Sequence, residues 1–171
     1  MADEEFLQAA LEHLDMLYSL ARRLVATRQE AEDLVQETCA RALRGWRRRP
    51  PDDCGPWMAT ICLNLARSQY RRRSSRPMEI LDPEPGTTVA SPADTAAEAM
   101  SNIVSQTVHR AMWQLPAPQR EAIALMDLYG LTAAQVAEMT GVPRGTVLAR
   151  VHRGHKKLAV LLEEEAVPRE P

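Results

Sequence analysis

Residues 141–158, GVPRGTVLARVHRGHKKL, hold five arginine or lysine residues, two histidines and no acid. Such a run is suited to binding polyanions. Both cations donate to phosphate, and arginine also matches the paired acceptors of guanine. A second cationic block spans residues 41–76, with ten arginines against two acids. Acidic stretches surround both. Residues 1–40 carry nine acids and three bases, residues 77–138 eight and two, and residues 163–171 four and one. The formal net charge of −2 therefore conceals two separate basic patches. Two such patches suit two contacts with one polyanion, although charge alone fits two solvated faces equally well.

Other chemistries find little support. No nucleophile–base pair, glycine-rich phosphate loop or metal-ligand cluster stands out, so no enzyme activity and no cofactor is expected. His152 and His155 are three residues apart among cations, with no carboxylate or cysteine near, which argues against a metal. The three cysteines, Cys39, Cys54 and Cys62, are odd in number and form no CxxC pair, so no disulfide framework is expected. Cys39 and Cys62 fall on apolar stripes as small buried hydrophobes. Cys54 falls in a polar loop, where a redox role is the lesser alternative. No apolar run approaches the ~20 residues of a membrane span. The opening MADEEFLQ is acidic, unlike a signal peptide. A cytoplasmic protein without membrane insertion is expected.

Periodicity supplies the elements that position the charge. Residues 4–26 place Phe6, Leu7, Ala10, Leu11, Leu14, Leu17, Ala21, Leu24 and Val25 at helical spacing, predicting one helix. RQEAEDLVQETCARALRGW repeats the pattern with Ala31, Leu34, Val35, Thr38, Cys39, Ala42, Leu43 and Trp46. RRRPPDDCG then breaks it, and Pro56 suits the first turn of a third helix that ends in RRRSSR. A proline-rich stretch without periodicity follows, predicting a flexible linker over 77–96. The expected fold is all-α: two small helical domains, 1–76 and 97–171, joined by that linker. The second domain opens near Asp94, a suitable N-cap.

Within the second domain, Thr132 and Gln135 read as a capping box, and Gly141-Val142-Pro143 reads as a turn between two helices. This is helix-turn-helix organisation. On the second of these helices Val147, Val151, Gly154 and Leu158 face inward. Leu148, Ala149, His152, Arg153 and Lys156 share the outer face. Arg144, Gly145 and Thr146 place free backbone amides at the helix start, suited to phosphate. Arg153 is the candidate for a base edge, whereas Arg144, Arg150, Lys156 and Lys157 suit phosphate.

Two quoted stretches of the first domain narrow the reading. AEDLVQETCARALRGW followed by WMATICLNLARSQYRRR resembles conserved region 2 of the extracytoplasmic-function sigma factors. LPAPQREAIALMDLYGLTAAQVAEMTGVPRGTVLARVHRGHKKL resembles their region 4. Both occur in the family's order and together cover nearly the whole chain.

The resemblance implies promoter-specific initiation with RNA polymerase core and assigns roles by position. Asp33, Gln36, Glu37 and Arg41 match the region that docks on the β′ clamp helices. Asn64 matches an asparagine of the segment that captures a base flipped from the −10 element. Arg67, Arg71, Arg72, Arg73 and Arg76 would follow the single strand. The helix-turn-helix would read −35 duplex while packing on the β flap. An anti-sigma factor is a further implied partner. Departures from the family pattern occur at Leu63 and Ser68, and at Leu148 and Ala149, which puts the promoter sequences themselves in question. Trp57, at an apolar position, reads as core in preference to a base-stacking surface. The competing reading is a stand-alone helix-turn-helix regulator whose first domain dimerises.

Overall fold

The computed structural model describes residues 1–74 and 96–166, apart from the side chains of 96–103 and 166. Every regular element among them is helical: α1 (Ala2–Leu11), α2 (Leu14–Leu24), α3 (Arg28–Trp46), α4 (Cys54–Ser74), α5 (Ala96–Trp113), α6 (Ala117–Ile123), a π-helical turn (Ala124–Leu128), α7 (Ala133–Thr140) and α8 (Arg144–Ala166). The expected linker, its cap Asp94 and the arginine Arg76 lie outside the described residues.

The stretch expected to be one helix over 4–26 is two. The chain turns at Glu12-His13, where the His13 N–H donates to the Ala10 carbonyl at 3.0 Å. The physical reason is burial. Leu17, Leu20 and Ala21 of α2 are fully buried against α3 and α4, whereas α1 contributes only Phe6 and Ala10. Leu7 and Leu11, counted on the apolar stripe, are 56% and 57% exposed. A straight helix could not satisfy both contacts.

α3 starts where its sequence says it should. Thr27 Oγ1 accepts from the Glu30 N–H at 3.2 Å, and Glu30 Oε2 accepts from the Ala26 and Thr27 N–H groups. Two orphan ends are thereby satisfied reciprocally. Its inner face places Leu34 and Thr38 against Met58, Cys62 and Leu63 of α4, all fully buried. Thr38 donates its hydroxyl to the Leu34 carbonyl at 2.7 Å, so the one polar side chain on this buried face is satisfied. Trp57 packs on this core beside Trp46, with ring centroids 6.5 Å apart, in keeping with a core role.

In the second domain the capping box is present. Thr132 Oγ1 accepts from the Gln135 N–H at 3.2 Å, and Gln135 Oε1 accepts from the Thr132 N–H at 2.9 Å. Replacing Thr132 by Ala is expected to cost about 1 kcal/mol, read as a fall in the urea midpoint with an unchanged slope. Gly141 closes α7 at φ +70°, a backbone region that side chains with a Cβ avoid. Pro143 then leads into α8.

Two apolar clusters organise these helices. Met112, Leu115, Ala122, Ile123 and Val151 join α5, α6 and α8. Ala124, Leu125, Tyr129, Leu131, Ala133, Val136 and Val147 belong instead to the cluster built on Leu17, Leu34 and Met58. Both helical domains are present, and their cores meet. The π-helical turn makes this junction. The Tyr129 N–H reaches the Ala124 carbonyl, five residues back, at 3.0 Å.

Candidate nucleic-acid interface

α8 sorts its side chains as the spacing requires. Val147, Val151 and Gly154 are buried and Leu158 is half-buried, while Leu148, Ala149, His152, Arg153 and Lys156 are exposed. Arg144, Gly145 and Lys157 are exposed too, and Thr146 and Arg150 are half-buried. The outer face is therefore continuous and cationic. Gly154 sets its distance from the body: a Cβ there would lie 2.6 Å from Ile123 Cδ1. Only a residue without a side chain lets α8 lie so close on α6.

One part of the sequence reading is corrected on this helix. His155 was expected to have no carboxylate near. Asp127, in the π-helical turn, places Oδ2 2.5 Å from His155 Nε2. The contact is tertiary, across 28 residues, and invisible to local spacing. No group of three or more metal-ligating side chains forms among the described residues.

On α4, Asn64 is exposed and neighbours the buried Leu63 and Leu65, so its amide is presented to solvent by a fixed helix. Arg71, Arg72 and Arg73 are exposed at the end of the same helix. Arg73 pairs with Glu30. Burial pushes the Glu30 carboxyl up, but that guanidinium and the Thr27 and Ala26 amides outweigh it and hold it below its ordinary range. Glu30 therefore caps α3 and ties down the end of α4 together. Arg67 differs from its neighbours. It is half-buried and donates from Nη2 to Glu121 Oε2 of α6 at 2.6 Å, with a longer 3.4 Å contact from Nε to Oε1.

On α3, Asp33, Gln36 and Arg41 are exposed and Glu37 is half-buried, along one outward strip. The strip is held in place by its own contacts. Gln29 Nε2 donates to Asp33 Oδ1 at 3.0 Å, and Arg41 Nε donates to Glu37 Oε1 at 2.7 Å. The Arg41 hydrogen bond lowers the Glu37 pKa, so this carboxylate stays charged.

Cys54 is the first residue of α4, not a loop residue, and is half-buried. Burial, then the Asp53 charge, raises its pKa. The reactive thiolate is disfavoured there, against a redox role. Cys62 is fully buried with its thiol pushed up to about 12. Cys39 is packed on the core and its thiol is likewise raised by burial.

The family models for sigma-70 region 2 and sigma-70 region 4 match residues 10–76 and 105–158. The chain is 35% identical over 148 residues to the ECF RNA polymerase sigma factor EcfG of Rhodopseudomonas palustris, covering 85% of this chain and 78% of that one. The chain belongs to the extracytoplasmic-function sigma factors. It is thus a sigma factor directing transcription initiation, and a stand-alone helix-turn-helix regulator is not favoured. SigM of Mycobacterium tuberculosis is 32% identical over 88% of this sigma factor and 73% of its own length. SigE of Mycolicibacterium smegmatis is also 32% identical, but this chain spans only 57% of its length. Among solved structures, the sigma factor RpoE bound to the anti-sigma factor NepR, from Bartonella quintana, matches with a TM-score of 0.73 at 27% identity, covering 94% of this chain and 98% of that one. CnrH, solved with the cytosolic domain of CnrY, shares the fold with a TM-score of 0.67 at 23% identity, over 94% of this chain and 89% of its own.

Sequence reasoning missed four residues that join the two domains: His109, Arg120, Glu121 and Tyr129. Tyr129 donates its hydroxyl to the Gly55 carbonyl at 2.9 Å, and Arg120 Nε donates to the Arg23 carbonyl at 3.0 Å. One signal was available: Glu121 is the sole acid between residues 99 and 126. No helix among the described residues is long and apolar enough to cross a membrane.

Proposed function

We propose that residues 1–76 act as a region 2-like domain, 77–96 as the linker and 97–171 as a region 4-like domain, and that together they bring core RNA polymerase to promoters in the cytoplasm. The strip Asp33, Gln36, Glu37 and Arg41 docks on the β′ clamp helices. The region 4-like domain packs on the β flap and reads the −35 element as duplex through Arg153, with Leu148, Ala149 and His152 beside it. Arg144, Gly145, Thr146, Arg150, Lys156 and Lys157 hold the phosphates.

Opening the −10 element costs roughly 1.4 kcal/mol per stacked step. Asn64 offers a donor and an acceptor to one extruded base, and Arg67, Arg71, Arg72, Arg73 and Arg76 track the freed strand. The chain does no chemistry itself and needs no cofactor; catalysis belongs to the polymerase. An anti-sigma factor is a further partner, as RpoE and CnrH have been solved with protein partners.

The observation that carries this reading is the exposed cationic face of α8, presented by a capped helix-turn-helix, in one chain with the exposed α3 strip and the α4 arginines. Run-off transcription with core polymerase on a promoter library tests it. Specific transcripts that need this protein are expected, and their absence on every template would refute it. Within that assay Arg153→Ala should relax preference at one −35 position by about 1–3 kcal/mol. A uniform loss on all templates would mean a phosphate contact instead.

A further inference from the structure

We propose that Arg22, Arg23, His109, Trp113 and Arg120 form a binding site for a small tetrahedral oxyanion, either a free phosphate ion or the phosphoryl group of a small phosphomonoester. The site shares no residue with the outer face of α8 or the α4 arginines, and it stands whether or not their proposed DNA roles do.

The cluster is assembled from three helices. Arg22 and Arg23 lie on α2, His109 and Trp113 on α5, and Arg120 on α6. Arg120 links them. Its Nε donates to the Arg23 carbonyl at 3.0 Å, its Nη1 donates to the Leu115 carbonyl at 3.1 Å, and its Cζ lies 4.0 Å from the centre of the Trp113 ring. The Trp113 ring meets His109 edge-on, with centroids 6.4 Å apart. Arg22, Arg23 and Arg120 are the charged groups that face His109.

Donors outnumber acceptors here. His109 is 4% exposed, and neither of its ring nitrogens has a hydrogen-bond partner among the described residues. Arg22 Nη1, Arg23 Nε and Trp113 Nε1 are also buried without one. No carboxylate among the described residues pairs with any of the three guanidiniums, and the acid next in sequence, Glu121, is held by Arg67. Unmet buried donors are costly, and crowded like charges add to the cost.

A tetrahedral dianion answers both needs. It brings opposite charge, and its oxygens can accept from guanidinium, indole and imidazole N–H groups together. A lone carboxylate brings fewer oxygens and less charge, and an apolar or cationic ligand leaves the donors unmet. Arg22, Arg23 and Arg120 are half-buried, so an ion can reach them from solvent. In the free protein, burial and the three cations keep the His109 ring neutral. A bound dianion reverses that balance, so binding takes up a proton and strengthens as pH falls.

Isothermal titration calorimetry of the full chain at constant ionic strength tests the site. Sulfate is the probe across pH, because its charge is fixed between pH 6 and 7.5. Wild type should show a saturable site with a Kd of about 1 mM. Binding should be roughly fivefold tighter at pH 6 than at pH 7.5. Arg22→Gln with Arg23→Gln, verified as folded by circular dichroism, should bind about tenfold more weakly. His109→Gln should bind without the pH dependence; a dependence that persists in it would remove His109 from the site. Nitrogen NMR should show the His109 ring moving toward its imidazolium position as sulfate is added. Inorganic phosphate and adenosine 5′-monophosphate are then compared at pH 7.5. Tighter binding of the nucleotide assigns a phosphomonoester, and equal or tighter binding of the inorganic ion assigns free phosphate. Heats that do not saturate, or an unchanged affinity in the double arginine variant, would reduce the effect to general salt and end the proposal. A single-stranded 20-mer that moves the His109 signals as sulfate does would make the cluster a DNA contact and overturn the small-anion assignment.

Discussion

Leu34→Ala is expected to remove roughly 2–5 kcal/mol of stability, the range for truncating a large buried aliphatic side chain. Leu34 is fully buried on the inner face of α3, against a core of small and medium side chains that includes Met58 and Leu63. The cavity cannot refill cheaply, because the first turns of α3 are pinned by the Thr27–Glu30 capping box and by the pairing of Glu30 with Arg73 of α4. Whole-domain stabilities are only about 5–15 kcal/mol, so the loss is a large fraction of the total. Urea unfolding followed by helical signal measures it. Core-polymerase affinity should fall with it, since Asp33, Gln36 and Glu37 ride on the same helix. Leu11→Ala provides the contrast. It lies on an apolar stripe in the sequence, yet Leu11 is 57% exposed and its loss should change stability by no more than about 0.5 kcal/mol. Equal costs at the two positions would contradict the packing described.

The second large effect is a loss of stability in mild acid. His109 is 4% exposed, with Arg22, Arg23 and Arg120 facing it from α2 and α6, and the nearest acid of α6, Glu121, engaged by Arg67. Burial first, and then these three cations, lower its pKa to about 4. An unfolded histidine titrates near 6.5. The group is therefore depressed in the fold and bound neutral. Its contribution is complete above about pH 6.5 and is lost as pH falls toward 4, amounting to about 3 kcal/mol. The window lies mostly above that of Glu30 and Glu37, whose carboxyls are held below their ordinary range. Urea midpoints measured from pH 7.5 to 4.5 should decline for wild type and stay much flatter for His109→Gln. Parallel declines would mean that His109 is not the titrating group.

Much of the architecture was legible in the sequence where local chemistry decides it. Thr27 with Glu30, Thr132 with Gln135 and Gly141 are short-range signals, and each sits where the helices begin or end. The outer face of α8 was legible for the same reason. A single long helix with one buried side allows only one sorting of Val147, Val151 and Gly154 against Leu148, His152 and Arg153. The break at Glu12-His13 was not legible, because no proline or glycine marks it and the apolar period runs through it. Nor was the His155–Asp127 contact. The Arg67–Glu121 pair spans 54 residues and joins two domains, so neither partner carries a local sign of the other. Two separate bodies were read, but not the seam between them, for the same physical reason: interdomain contacts depend on surfaces that each domain could equally leave wet.

The π-helical turn after α6 has a consequence for how this chain tolerates length changes. Ala122 and Ile123 point to the cluster shared with α5 and α8, while Ala124 and Leu125 point to the cluster shared with the other domain. One surplus residue per turn shifts helical phase by about 100°, which lets a single short segment gear two neighbours at once. Deleting one residue between Ala124 and Leu128 would scarcely alter composition or helical propensity. It would nonetheless mis-time everything downstream, turning Tyr129 away from Gly55 and shifting the helix-turn-helix relative to its support.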